Sequence, residues 1–469
     1  MKPHVLTLTR SATLLALTTV LGGCAFLTMP PAQVESDASA QWQAPLPHAG
    51  AVGDLSQWWQ SHGDPTLVEL IEAAQAVSPS VAQALARIES ARANQAQAGG
   101  ALLPQVSAQV AAQRGISTPG VPLATTLTGG LQAAWELDLV GANRAVNKAA
   151  SAQVQGSQAL WHDARVSVAA EVANVYYAQR HCQAQLALQR QDAASRAQTA
   201  RLVAISAQAG FVSPGDAALA KASAADAAAR TTQQATACDM NTKALVALTA
   251  WSEPVLKQKM DAALAKPAQS APFSIASVPA QTVAQRPDVF AAERDVAVAS
   301  AQVGAAKAQR FPRLTLAGSI GALRTTSYGV ETNLDTWSFG PLALTLPIFD
   351  GGQRVANVNA AQANYTQAVS VYKARVRNAV REVEEALLTL QSVAARQADV
   401  DTAAAGFAQS LQATQTRFDQ GLASLVELED ARRQALATQS AQRALELERW
   451  RAWIALYRAS GGGFVPEKS

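Results

Sequence analysis

"GFVSPGD" (residues 210–216) and "GLASLVE" (421–427) are the same event written twice. Each opens on a glycine, passes through two residues to a serine, and reaches a carboxylate three residues after it. A glycine after a long run of helix formers is a helix stop. A serine with Asp or Glu three residues later is a helix start, because hydroxyl and carboxylate can satisfy the free N–H groups there. A stop followed at once by a start is a helical hairpin. The stretch before Gly210 runs from Ala142 with no proline and one glycine, Gly156. The stretch before Gly421 runs from Gly352, again without proline. Each reads as one helix of about 65 residues, roughly 100 Å long at 1.5 Å per residue. Partner helices follow, over about 214–251 and from Ser424 to about Ser460. In the second long helix Val355, Val358, Tyr365, Val369, Tyr372, Val376, Val380, Val383, Leu387 and Leu390 recur at spacings close to a coiled-coil seam.

Outward from the turns, other landmarks recur at nearly the same distance. Leu103-Pro104 and Phe311-Pro312 lie 208 residues apart, Gly141/Arg144 and Gly351/Arg354 lie 210 apart, and the two turns lie 211 apart. Near-constant offsets mark an internal duplication. Each repeat carries two short, partly alternating, glycine-flanked stretches that read as strands. In the first these are "LPQVSAQVAAQRG" (103–115) and "LTGGLQAAWELDL" (127–139). In the second they are "PRLTLAGSIGAL" (312–323) and "WSFGPLALTLPI" (337–348). In 312–323, Leu314, Leu316 and Ile320 alternate with Thr315, Ala317 and Ser319. Shorter helices precede the strands, over about 80–101 and 285–309, and one more starts at the Asp64-Pro65 cap.

Four strands cannot close a barrel in lipid, where open sheet edges are not tolerated, and closed membrane barrels need about eight or more. The strands must therefore close between copies of the chain. Helices of this length joined to such a barrel make sense as the staves of a tube.

The amino terminus carries its own message. Lys2 and Arg10 flank a basic start, Ser11–Leu21 is mostly apolar, and "LGGC" ends the run at Cys24. This is the layout of a secretory signal, and "LGGC" resembles the bacterial lipobox, which is cut before a cysteine that then carries lipid. Several acyl chains would anchor the mature N-terminus stably. Ala25 rather than Asp follows, which points to the outer membrane. The formal charge is +3, and +1 once residues 1–23 with Lys2 and Arg10 are removed. With no long block of one sign, no nucleic-acid partner is expected. The chain divides into a signal peptide at 1–23, an extended arm at 24–63, repeat 1 at 64–260, a connecting segment at 261–284, repeat 2 at 285–460 and a tail at 461–469. An enzyme lacks its parts: no His, Cys or carboxylate set has metal or triad spacing. No cofactor and no metal are expected.

These stretches, together with "WWQSHGDPTLVELIEAA", "LPQV", "WELDLVGANR", "RPDVFAAE", "FPRLTLAGSIG", "LPIFDGGQR" and "YRASGGGF", resemble the TolC-type outer-membrane efflux channels, in their lipoprotein (OprM/NodT) branch. The resemblance covers essentially all of the mature chain. Phe464 stands where tryptophan is usual. The resemblance implies an α+β membrane protein: a homotrimer whose long helical hairpins form a periplasmic α-barrel, above which four strands per protomer form a twelve-stranded transmembrane β-barrel. It implies an outer-membrane channel of a tripartite efflux system, passing drugs or small metabolites from an inner-membrane RND-type pump through a periplasmic adaptor (membrane fusion) protein. Two other readings share its parts, the exit duct of a protein-secretion system and a periplasmic coiled-coil adaptor lipoprotein. The lipobox favours efflux over secretion, and the paired strands disfavour the adaptor.

The hairpin tips, Gly210, Ser213 and Asp216 with Gly421 and Ser424, are then candidates for adaptor docking. Glu427 and Asp430, three apart and so on one helix face, match the family's acidic periplasmic constriction. Six carboxylates near one axis would repel, raise each other's pKa and attract cations. Glu427, like Asp216, is equally placed to cap a helix. The further aspartate of OprM-like members is Ala423 here. Trp135, Trp337 and Phe349, read as strand ends, suit either an interfacial aromatic girdle or ordinary packing.

Cys182 and Cys238 lie 28 residues before and 28 after Gly210. In an antiparallel helix pair, equal distance from the turn means equal height, so the two can meet as a disulfide if both face the seam. Two separate buried thiols are the alternative.

Overall fold

A computed structural model of the chain describes residues 29–36, 38, 41–46, 57–61, 63–116, 122–264 and 279–465. The signal at 1–23 and Cys24 lie outside the described residues. The elements are α1 (Trp58–Ser61), α2 (Pro65–Val77), α3 (Pro79–Gly100), β1 (Gln105–Gly115), β2 (Ala124–Leu137), α4 (Ala142–Gln208), α5 (Pro214–Thr249), α6 (Glu253–Leu264), α7 (Pro279–Ala284), α8 (Pro287–Ala308), β3 (Arg313–Ser327), β4 (Val330–Thr345), α9 (Gln353–Asp419) and α10 (Leu425–Ala459). The chain folds as two compact units. One holds the described residues up to Ser36 with Leu85–Gln158 and Phe290–Arg375; the other holds Asp37–Ala84, Ala159–Val289 and Val376 onward.

In the first unit the strands form one antiparallel sheet in the order β1-β2-β3-β4. Both β3 and β4 extend further toward each other than the sequence suggests. They meet at Tyr328-Gly329, whose φ angles are 50° and 81°. Positive φ at both positions is the type I′ turn that matches the twist of a two-residue hairpin. The polar run around it carries no Asn-Gly or Asp-Gly to announce the turn. Trp337 consequently sits within β4, not at its end, while Phe349 lies beyond the strand.

Where sheet becomes helix, the two repeats use one device. Asp138 accepts from the backbone N–H groups of Asn143 (3.2 Å) and Arg144 (2.9 Å) at the start of α4. Asp350 accepts from those of Gly352 (3.0 Å) and Arg354 (3.2 Å) at the start of α9. The Arg144 and Arg354 side chains return to the same carboxylates, at 3.2 and 2.9 Å. Each aspartate thus satisfies N–H groups that the helix itself cannot. In this unit the start of the arm is also docked. The Ser300 hydroxyl donates to the Pro30 carbonyl at 2.5 Å and the Tyr365 hydroxyl to that of Pro31 at 3.0 Å.

The second unit has an aromatic core. Trp58 stacks on Tyr457 and Tyr177 on Trp450, with ring centres 4.9 and 4.1 Å apart. Leu67, Leu70, Val172, Leu245, Leu256, Leu387, Ile454 and Leu456 fill the space around them. Asp64 ties α2 to α4: it caps Leu67 N–H and accepts from the Tyr176 hydroxyl at 2.5 Å and from Arg180. The seam read along α9 is buried at Tyr372, Val376, Val383, Leu387 and Leu390 and half-buried at Val380, whereas Val355 is exposed in the single protomer. Cys182 and Cys238 are joined as a disulfide between α4 and α5, with Cα atoms 5.5 Å apart.

Candidate functional site

At each hairpin tip the glycine is required by its backbone. Gly210 and Gly421 have φ of +80° and +75°, the left-handed region that costs an L side chain strain. Phe211 N–H bonds to the Ser206 carbonyl and Gly210 N–H to that of Ala207; Leu422 to Arg417 and Gly421 to Phe418 repeat the pattern. Both tips are therefore Schellman motifs.

The restarts differ. The Ser424 hydroxyl accepts from Glu427 N–H, and the Glu427 carboxylate accepts from Ser424 N–H at 2.7 Å, a complete capping box. Ser213 accepts from Asp216 N–H at 3.1 Å, but the Asp216 carboxylate takes only the Ser213 hydroxyl, at 2.8 Å. One methylene fewer accounts for the missing return bond. In the protomer, the hydrogen bonds from Ser424, backbone first, hold the Glu427 carboxyl below its usual pKa. That is the opposite direction to the mutual repulsion expected of a crowded ring.

Glu427 and Asp430 are both exposed on α10. Neither is a bare charge. Asp430 pairs with Arg433 at 3.0 Å, and Arg417 stands 4.0 Å from Glu427. Behind them is a cluster that sequence reading missed. Glu429 is buried between the two hairpins, paired with Arg196 of α4 and with Arg432 at 3.0 Å, and accepting from Ser223 of α5 at 2.6 Å. Arg196 also meets Asp192 at 2.8 Å. Arg432 donates to Ser195, Thr199 and, on α9, Gln415, at 3.0, 2.9 and 2.8 Å. Two guanidinium groups and two carboxylates balance, and four helices share them.

The sheet carries the second functional surface. Cross-strand partners share a face. Val106–Ala133–Gly318–Phe339 and Ala108–Leu131–Ile320–Trp337 form apolar rows. Ser107–Gln132–Ser319–Ser338 and Gln113–Thr126–Thr325–Thr332 form polar rows on the other face. Between Phe339 and Leu342 an extra residue shifts the register; this bulge returns Leu342 and Leu344 to the apolar face. On β2 the apolar run spans Leu127 to Leu137, about 34 Å of strand at ~3.4 Å per residue, or about 25 Å once tilted as barrel strands are. The charged residues on this face, Arg114, Arg324, Glu331 and Asp335, cluster toward the β3–β4 turn. Phe339 and Trp337 are 83% and 79% exposed in the protomer. A sheet with an apolar band of membrane height, a polar reverse face and unpaired edges at β1 and β4 is a segment of barrel wall.

The outer membrane efflux protein family matches residues 70–250 and again 278–462. This chain belongs to that family. The double match follows the duplication. Among relatives of this outer membrane efflux protein, nodulation protein T of Rhizobium leguminosarum bv. trifolii is 30% identical over 88% of this chain and 90% of its own length. Outer membrane protein OprJ of Pseudomonas aeruginosa is 29% identical over 98% and 96%. Among solved structures, the outer-membrane channel OprN superposes with a TM-score of 0.82 at 25% identity, over 93% of this chain and 99% of its own. The CmeC channel of Campylobacter jejuni, at 21% identity and a TM-score of 0.79, shares the fold. The outer membrane efflux protein described here therefore has the α+β fold of trimeric outer-membrane channels, with helical hairpins for a periplasmic α-barrel and four strands per protomer for a β-barrel. It is the outer-membrane channel component of a tripartite efflux system and extends into the periplasm. An adaptor and an inner-membrane pump are its implied partners, and its family is one of channels, not enzymes.

Proposed function

We propose that this channel serves an RND-type pump and exports drugs or small metabolites passively, the energy being supplied at the inner membrane. The observation that carries this reading is the two-faced sheet, whose polar face of hydroxyls and amides offers a conduit. Relatives carry names for solvent efflux, toluene efflux and pyoverdine export, so one duct architecture serves apolar and polar cargo alike. The adaptor docks at the hairpin tips, around Gly210, Ser213, Asp216, Gly421 and Ser424. Glu427 and Asp430 line the periplasmic constriction, each moderated by its own arginine. Cys24 carries the lipid anchor, which mass spectrometry of the mature N-terminus would read as added acyl mass. The test of the function is accumulation of an amphiphilic dye in cells lacking the gene. Energised cells should retain more dye than wild type and recover on complementation; equal retention contradicts an efflux role.

A further inference from the structure

We propose that Glu136 and Arg313 form a self-cancelling charge collar at the helix-side end of the barrel lumen, and that the barrel wall passes solutes without selecting them by charge. This rests on the channel reading. It goes beyond it by assigning charge neutrality, and the residues that secure it, to the barrel half of the duct.

The argument begins with the register. Glu136 pairs with Thr315 across β2 and β3, and Arg313 lies two residues before Thr315, so both belong to the polar face. They are diagonal neighbours and form an ion pair at 3.5 Å. Their side chains are 55% exposed for Arg313 and 27% for Glu136, so the charges face solvent. Every other strand residue on this face is uncharged. Hydroxyls and amides dominate it, and several satisfy one another: Gln132 donates to Gln109 at 3.0 Å, and the Ser319 and Ser338 hydroxyls lie 2.9 Å apart. Among the strand residues of this face, charge stands only at the end where β2 leads into α4 and β3 leaves α8.

An isolated ring of like charges acts across a lumen over the screening distance, about 10 Å at 0.1 M salt and about 30 Å at 0.01 M. Adjacent opposite charges cancel within roughly their own separation. In a trimer the collar holds three acids and three bases in alternation. Its far field vanishes while each group remains available for hydrogen bonding. The chemical class this wall suits is neutral solutes and amphiphiles of either sign, which exchange water hydrogen bonds for hydroxyl and amide ones. Discrimination by charge is then left to the helical end.

The experiment is the reversal potential of reconstituted wild-type and variant trimers in planar bilayers under a KCl gradient, at mean concentrations of about 10 mM and about 100 mM. Glu136→Gln leaves three unpaired arginines and is expected to shift selectivity toward anions. Arg313→Gln leaves three unpaired carboxylates and is expected to shift it toward cations. Both shifts should be larger at the lower salt. The exchange variant Glu136→Arg with Arg313→Glu restores the pair and should match wild type; it keeps the test open where a single variant does not assemble. Single variants that conduct with wild-type selectivity, shifts in the same direction, or an exchange variant with altered selectivity each overturn the collar. Wild-type trimers that insert and do not conduct would instead overturn the channel reading itself.

Discussion

Glu427, Glu429 and Asp430 are three carboxylates within four residues, and helix geometry sends them to different fates. Glu427 caps its own helix, Asp430 stays exposed beside Arg433, and Glu429 turns inward to Arg196 and Arg432. The first and third are visible in the sequence through their spacing from Ser424 and from each other. Glu429 has no capping or ring spacing to single it out, so its spacing alone does not mark it. Its signal was present, however: Leu425, Leu428, Arg432 and Ala435 make a buried stripe, and Glu429 lies within it. Removing one partner of a buried ion pair strands the others, at about 3–5 kcal/mol. Glu429→Ala is therefore expected to speed amide exchange at residues 425–435 on the order of 100-fold, the equivalent of about 3 kcal/mol. Glu429→Gln, which keeps an acceptor for Ser223, should lose less. Unchanged exchange in the alanine variant would mean that the cluster does not hold α10 to α4 and α5. The cap at Glu427 makes a second, pH-dependent prediction. Its carboxyl pKa is lowered in the fold by hydrogen bonds from Ser424. The stability it adds is thus present above the ordinary carboxylate pKa and lost as pH falls through the lower, folded value. Protection at the start of α10, taken relative to the intrinsic exchange rate at each pH, should fall on acidification in wild type and be flatter with pH in Glu427→Gln.

Elements were legible where local chemistry decides them. Both long helices, their stops and their restarts follow from glycine, serine and the absence of proline, and α4 occupies the span read from sequence. The lengths of β3 and β4 were not legible. Their inner ends are polar and their turn is Tyr-Gly, so only cross-strand pairing marks them as strand. The aspartates that cap α4 and α9 were also passed over, although Asp138 and Asp350 precede Arg144 and Arg354 in both repeats. At the same scale belongs the disulfide. Equal distance from Gly210 put Cys182 and Cys238 at one height, and the structure brings both to the seam between α4 and α5. A cross-link there ties the first hairpin part-way along and leaves its tip untied, while α9 and α10 have no cysteine. Non-reducing peptide mapping of periplasmically matured protein should recover a peptide pair joined through these two residues, and free thiols on both would contradict it.

At the scale of the molecule, sequence periodicity showed that strands exist, and the register shows what they are for. Leu314, Leu316 and Ile320 were visibly alternating with polar residues. Which residues stand beside them on neighbouring strands depends on pairing across the chain, which no local pattern contains. Only with that register do the rows assemble into an apolar band on one side and hydroxyls and amides on the other. On β4 the apolar run begins at Trp337, four residues past Asn333, which shares a row with Leu127. The band therefore runs oblique to the strands, as tilted barrel strands require. One close approach is specific to this wall. A Cβ on Gly130 would stand 2.7 Å from the Ile320 carbonyl oxygen, and one on Gly321 2.6 Å from that of Gly129. The paired strands thus admit only glycine there, and Gly130→Val should block assembly of membrane-inserted trimers, read as loss of the trimer after detergent extraction.

The central claim is that these four strands separate lipid from a water-filled lumen, and single-cysteine accessibility tests it most directly. Trp337→Cys, Ser338→Cys, Ser319→Cys and Ile320→Cys are introduced one at a time and reconstituted as trimers in bilayers. A charged, membrane-impermeant thiol reagent should label the positions of Ser338 and Ser319 and lower the conductance. It should leave those of Trp337 and Ile320 unlabelled. Equal labelling at adjacent positions, with no period of two along the strand, would contradict the account.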